Sequence, residues 1–297
     1  MKIIGPIPIT AGMIVASNVL EDDQPAWVDT TAYTVGDLVM YEHKIYESLV
    51  DSTGKIPPDH INTVPPLWLD LGSNNLWKMF DAKVGSRTVR ESPIIITVAP
   101  GMADALPLLD LRATSVDIVM TDPTEGIVYT KTIELISTLG IIDAYTYYFN
   151  PIVVSDTAIT LDLPPYSNAS IEITINNSDA DAEVGTVAFG MQKDLGGTQY
   201  SPTIGIQDFS KKERDIFGNY SILKRSYAKE LSVEMFLPNT SVDSVAQILT
   251  KYRATPAIYI GAEGFSSMAL YAFYRSFSIT VAYVNDSTCN LELEGLS

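Results

Sequence analysis

A mainly β fold is what this sequence predicts, and three observations predict it. Val, Ile, Thr and Tyr recur along the whole chain, with tyrosine alone supplying 16 of the 297 residues, and these residue types fit pleated, half-buried surfaces. Short apolar runs are separated by turn residues rather than by crossover helices. A sustained helical period is found in one place, near the C-terminus. The length calls for two or three domains, and 46% hydrophobic residues are enough to bury a sizeable core. The division expected is an N-terminal arm and linker over 1–26 and a small three-stranded aromatic module over 27–82. A sandwich or jelly-roll-like middle over 83–190 and a C-terminal α+β unit with one helix over 191–297 follow.

The first element is the apolar segment Ile3–Leu20 behind Lys2. Pro6, Pro8 and Gly12 interrupt it, which argues against a leader peptide and against a spanning helix. No transmembrane helix is expected elsewhere. Prolines at alternate positions suit an edge, so Ile3–Ile9 reads as an extended arm or edge strand. Residues 21–26 are polar, contain Pro25 and read as a linker. The aromatic module then gathers all three tryptophans, Trp27, Trp68 and Trp77. Strands are expected at Leu38–Tyr41 and Lys44–Val50 around a tight turn, with a proline-rich loop over Asp51–Pro66.

The middle region predicts strands at Ile94–Val98, Val116–Met120, Ile127–Ile136, Tyr145–Val154, Ala158–Leu163, Ser170–Asn176 and Gly185–Phe189. Asp122-Pro123 with Gly126, Pro164-Pro165 and Asn176-Asn177 mark the turns. Met191–Arg225 reads as loop-rich. A strand at Glu230–Leu237 alternates cleanly, and the helix follows. Thr240 is its expected cap with Asp243 three residues on, and Val242, Val245, Ile248, Leu249 and Tyr252 form its apolar stripe. Thr255-Pro256 stops it. Strands at Ala257–Gly261, Ala269–Tyr274, Phe277–Val284 and Thr288–Leu293 complete the unit.

Charge limits the partners. The formal net charge is −17, but it is uneven: −7 over 1–82, −9 over 83–184 and −1 over 185–297. The acidic two-thirds repel phosphate backbones, so no nucleic-acid partner is expected. In the last third the bases bunch. Lys211, Lys212, Arg214, Lys224 and Arg225 are candidates for a contact that docks an acidic neighbouring subunit, against the plainer reading of a solvated turn region.

Catalytic signatures are missing from the sequence. There is no P-loop, no Gly-x-Ser-x-Gly elbow and no His-Glu-x-x-His. His43 and His60 are the only histidines, both in turns or loops of the aromatic module, and both read as solvated. Cys289 is the lone cysteine, so neither an intrachain disulfide nor a cysteine-built zinc site can form. The run Asn177-Ser-Asp179-Ala-Asp181-Ala-Glu183 alternates oxygen donors but lacks the glycine and the closing glutamate of a calcium loop. No catalytic residue, metal or cofactor is expected.

Two resemblances sharpen the reading. Trp27, Tyr33, Gly36-Asp37-x-Val39, Tyr41, Lys44-Ile45-Tyr46 and Trp68 together resemble the small carbohydrate-binding modules of chitinases and cellulases, with His43 where that family's turn usually carries glycine. The resemblance implies sugar stacking on aromatic faces, for which Trp27, Tyr46 and Trp68 are the candidates, and host-surface glycan as a partner. A structural core is the competing role for the same residues. The run from Leu71 to Asp81, the string Gly190, Leu195-Gly-Gly-Thr198, Ile206-Gln-Asp-Phe-Ser210, Asp215-Ile-Phe-Gly218 and Arg225, and the ending Leu291-Glu-Leu-Glu-Gly-Leu296 resemble segments of tailed-bacteriophage virion proteins. That implies a tail or tail-tip component of the virion, assembled in the host cytoplasm as a homo-oligomer beside other virion proteins. A receptor-binding adhesin, a neck or capsid decoration protein and a polysaccharide-degrading tail enzyme stay open as alternatives.

Overall fold

The computed structural model describes residues 1–83, 85–137, 142–149, 153–178, 180–214, 217–262, 264–281 and 283–296, with Tyr147 described by its backbone alone. The fold is mainly β, as expected. Its middle is a sandwich because the strands alternate with period two. Ile94, Ile96 and Val98, Val116, Ile118 and Met120, and Ile171, Ile173 and Ile175 are all fully buried. They lie in a five-stranded antiparallel sheet in the order Gly126–Glu134, Ser115–Asp122, Ser170–Asn176, Ile94–Val98, Ile14–Ser17. A four-stranded antiparallel sheet closes on it, in the order Thr157–Thr160, Leu106–Arg112, Asp181–Val187, Thr88–Glu91. Leu106, Leu108, Ala158 and Val184 carry that sheet's share of the common core. Each such aliphatic side chain contributes roughly 1.5–3 kcal/mol on burial.

The C-terminal unit is an eight-stranded sheet. Its main path runs Gly190–Asp194, Lys2–Pro6, Ala257–Ile260, Ala269–Thr280, Asp286–Gly295, Tyr227–Pro238, Gly197–Thr198, and Thr203–Asp208 also pairs with Tyr227–Pro238. The expected N-terminal edge strand is corrected here. Lys2–Pro6 is an interior strand, paired on both sides, with Ile3 and Ile4 fully buried. The prolines do not obstruct it, because Pro6 falls on its last rung and Pro8 beyond it. Glycine permits the close approach. A Cβ on Gly190 would sit 2.5 Å from the Gly5 carbonyl, and one on Gly5 would sit 2.2 Å from the Tyr252 hydroxyl.

The strand Ala257–Ile260 is buried on both faces, which explains its unbroken apolar run. Ala257 and Tyr259 join Ile3, Leu231, Met235 and the helix residues Val245 and Leu249 in one core. Ile258 and Ile260 join Ile4, Ala105, Leu109 and Ala188 in another, against the sandwich. The layers are therefore helix, terminal sheet, four-stranded sheet and five-stranded sheet.

Four other expectations change. The helix spans Val242–Lys251 with Ser241 at its N-cap and no side-chain cap bond, because Thr240 lies in a 3₁₀ turn, Asn239–Ser241. Asn239 secures the entry instead, donating to the carbonyls of Tyr283 at 3.1 Å and Val284 at 2.9 Å. The two strands expected over 269–284 are one strand, Ala269–Thr280, bulged between Tyr274 and Ser276. Arg275, the extra residue, turns outward to Glu230 and Glu294. The strand expected at Tyr145–Val154 begins as a helix, Ala144–Phe149, and ends as the short strand Val153–Val154, with 150–152 outside the described residues. Asp143 accepts the Thr146 N–H at 2.7 Å, and this local cap overrides the β preference of the aromatic run. Finally, 191–225 is not loop-rich. It contributes Gly190–Asp194, Gly197–Thr198, Thr203–Asp208, Lys211–Arg214 and Tyr220–Leu223.

Candidate functional site

The aromatic unit has its own small core of Tyr33, Val39, Tyr46 and Trp68. Three strands hold it, Leu38–Tyr41, Lys44–Ser48 and Trp68–Ser73, with the short pair Ala32–Tyr33 and Ser52–Thr53 alongside. Of the sugar-contact candidates Trp27, Tyr46 and Trp68, the packing corrects Tyr46 and Trp68 and leaves Trp27 on the rim. Trp68 is fully buried and Tyr46 is 2% exposed, so neither offers a face to a ring. Trp68 Nε1 donates to the Lys55 carbonyl at 3.0 Å, and Tyr33 meets the indole edge-on at 5.5 Å between centroids. Trp27 is half-buried and packs edge-on against Tyr41. A unit this small has little other apolar matter from which to build a core.

The two histidines are partly exposed, and both are also hydrogen-bonded. Glu42 and His43 form the hairpin turn, both at positive φ, 46° and 68°. His43 Nδ1 lies 2.9 Å from Glu21 Oε2, and its ring stacks on Trp77 at 4.2 Å. The same carboxylate accepts Asn74 Nδ2 at 2.6 Å and Trp77 Nε1 at 2.9 Å. Burial alone would raise the Glu21 carboxyl, but hydrogen bonds from His43, Trp77 and Asn74 outweigh it and hold the group below its ordinary value. Residues expected as a free linker thus bolt the aromatic unit to the segment after it. Within that segment Leu76 and Met79 enter the sandwich core. His60 Nδ1 is taken by the Ile56 carbonyl at 2.9 Å.

The five basic candidates lie together. Thr203–Asp208 pairs with residues of Tyr227–Pro238, and Lys211–Arg214 pairs with Tyr220–Leu223. Phe209 and Arg225 backbone amides bridge the gap, to the Ser226 carbonyl and the Ser210 hydroxyl respectively. The result is one long hairpin arm. Every residue of its two outer strands is exposed. Lys212 stands opposite Ile222 and Arg214 opposite Tyr220, so cations and apolar groups share one face. Arg214 lies over the Tyr220 ring at 4.9 Å. Lys211 pairs with Glu213 and Lys212 with Asp208. The side chains of Lys224 and Arg225 make no ion pair among the described residues. Sequence reading found these bases but missed the exposed Phe217, Tyr220, Ile222 and Leu223 between them. The available signal was an apolar run placed directly after a Gly-Asn turn.

A cavity of about 230 Å³ lies between the sandwich and the terminal sheet, walled by Leu109, Leu270, Tyr271 and Leu296 over Arg87 and Asp110. Its charges are mutually satisfied. Arg87 grips Asp110 through two bonds of 2.6 and 2.7 Å and reaches Glu183 at 3.2 Å. Asp110 takes φ of 57° opposite Gly185, where a Cβ would lie 2.7 Å from its own. No three metal-ligating side chains converge among the described residues. In the calcium-like run Asp179 lies outside the described residues, Ala182 is buried in the core and Glu183 is held by Arg87 and Arg112. No helix among the described residues is long and apolar enough to cross a membrane. Compared with protein-family models, with curated proteins and with solved structures, the chain finds no match.

Proposed function

We propose that this chain is a non-enzymatic structural protein that assembles with copies of itself into a symmetric oligomer, as a tail or tail-tip component of a tailed-bacteriophage particle. The observation that carries the assembly is the arm. A two-stranded ribbon is marginal in water by itself, and this one buries none of its outer residues while presenting Phe217, Tyr220, Ile222 and Leu223. Exposed apolar groups gathered on a projecting ribbon mark a protein contact. The particle context rests on the resemblance of the segments 71–81, 190–218 and 291–296 to virion proteins. Glycan contact is not carried forward, because two of its three aromatic candidates, Tyr46 and Trp68, are core residues and Trp27 alone offers no platform of stacked rings. Light scattering and negative-stain imaging of the purified chain test the reading. The expected result is a closed or stacked multimer of defined symmetry. A chain that stays monomeric at high concentration, both alone and beside co-expressed particle proteins, would sink it. So would release of sugar from a capsular polysaccharide.

A further inference from the structure

We propose that the basic arm of one copy docks head to tail on the described acidic residues of 115–137 and 142–149 of a second copy, so that identical chains join into a ring or filament; this rests on the assembly reading and names its contact. Two regions carry most of the exposed aromatic side chains among the described residues. One is the arm. The other is the sequence stretch holding Tyr145, Tyr148 and Phe149, in which Ile127, Ile136 and Val153 are exposed as well. Their charges are opposite. Lys229 and Asp156 meet within the chain at 3.8 Å; beyond that pair, residues 203–228 hold five bases and three acids, whereas 115–155 hold five acids and one base, Lys131. That base is spent within the chain on Asp162 at 2.8 Å, and Glu134 makes no ion pair among the described residues.

Backbone geometry agrees. Gly126–Glu134 is the outermost strand of the five-stranded sheet, and its far side pairs with no described strand. An open edge of this length takes up an added strand, and both outer strands of the arm are free to supply one. Arm against arm would oppose Lys212 and Arg214 to their own copies, so a two-fold contact is repelled. Basic arm on acidic stretch uses two different patches, and such a contact closes a ring or propagates a filament.

The test has two parts on the full chain. Isotopically labelled and unlabelled copies are mixed and joined with a zero-length carboxyl–amine cross-linker. Intermolecular links from Lys211, Lys212 or Lys224 to Glu125 or Glu134 are expected. Links confined to other acids overturn the contact. Charge reversal supplies the second part, with folding checked by circular dichroism. Lys212→Glu with Arg214→Glu, and separately Glu125→Lys with Glu134→Lys, are each expected to weaken self-association roughly a hundredfold, and all four together to restore most of it. Loss that simply adds in the fourfold variant overturns the contact, and so does assembly untouched by any variant, although the assembly reading then survives. A native chain that never self-associates overturns both. Duplex DNA binding that the arm reversal abolishes, with self-association unchanged, reassigns the arm and overturns the contact.

Discussion

The aromatic unit and the arm are built from the same residue types and dispose of them in opposite ways. In the aromatic unit Trp68 is fully buried and Tyr46 nearly so, whereas in the arm Phe217 is 83% and Tyr220 is 66% exposed. Both regions are ribbons with a tight turn. The difference is a third strand. Trp68–Ser73 returns to pair with Lys44–Ser48 and brings the indole over Val39 and Tyr46, while Lys211–Arg214 and Tyr220–Leu223 have only each other. Aromatic density is therefore a poor sign of binding. Aromatic exposure on an element that cannot form its own core is a better one.

The largest effect that could break this contrast is on stability. Trp68→Ala removes the centre of the small core and its bond to Lys55, and should cost about 3–5 kcal/mol in the stability of the aromatic unit. Tyr220→Ala in the unassembled chain should fall within about 0.5 kcal/mol of the parent. Denaturant unfolding monitored by tryptophan fluorescence separates the two. Equally large costs would mean that the arm is packed like the core, and equally small ones that the aromatic unit has no packed core. The next effect reverses the order. Tyr220→Ser with Ile222→Ser should weaken self-association by about 2–4 kcal/mol, read as a shift of the dissociation midpoint in sedimentation. Trp27→Ala, on the half-buried rim of the aromatic unit, should leave that midpoint in place.

How much of this was legible in the sequence follows the same divide. Strands with one buried face announce themselves by alternation, so Ile94–Val98 and Ser170–Asn176 match to the residue and Ser115–Asp122 and Gly126–Glu134 to within two, whereas Leu106–Arg112, buried at nearly every position, shows no alternation and was missed. The helix stripe was equally plain, since Val245 and Leu249 fall on one side. What could not be read was pairing between distant segments. Lys2–Pro6 looks like an edge because its prolines suggest one, and only the arrival of residues 190–194 and 257–260 makes it interior. Gly190–Asp194 lacks an apolar face, and Thr203–Asp208 carries only Ile204 and Ile206 on one side, both exposed, so their partners confer strand geometry on them. The bases of the arm were legible as a cluster. Their sharing of a face with Tyr220 and Ile222 depends on hairpin register, which the sequence does not state. For the aromatic residues the sequence named the right side chains and left core and contact both open, because stacking on sugar and packing in a core demand the same flat surfaces.

The smallest effect concerns how the aromatic unit is fastened, and it sharpens the comparison because the arm has no such bolt. Glu21 is held ionised by His43, Trp77 and Asn74 against the opposing pull of burial. Its carboxyl lies below the ordinary value of 4.5 in the folded chain. A depressed folded pKa means that the unfolded chain takes up the proton first. The stabilisation is therefore complete above the unfolded value and is lost as pH falls from there through the folded one. Other carboxylates, Asp70 and Asp162 among them, are lowered in the same sense, so the native profile alone does not isolate Glu21. The difference between the native chain and Glu21→Gln does. That difference should be about 1 kcal/mol at neutral pH, from charge-assisted bonds on a partly exposed group, and should shrink toward zero as pH falls below the carboxylate range. Chemical denaturation at a series of acid pH values measures it. A difference that stays constant with pH would mean that the contact is held by shape and neutral hydrogen bonds, and that the charge on Glu21 contributes nothing to joining the aromatic unit to the sandwich.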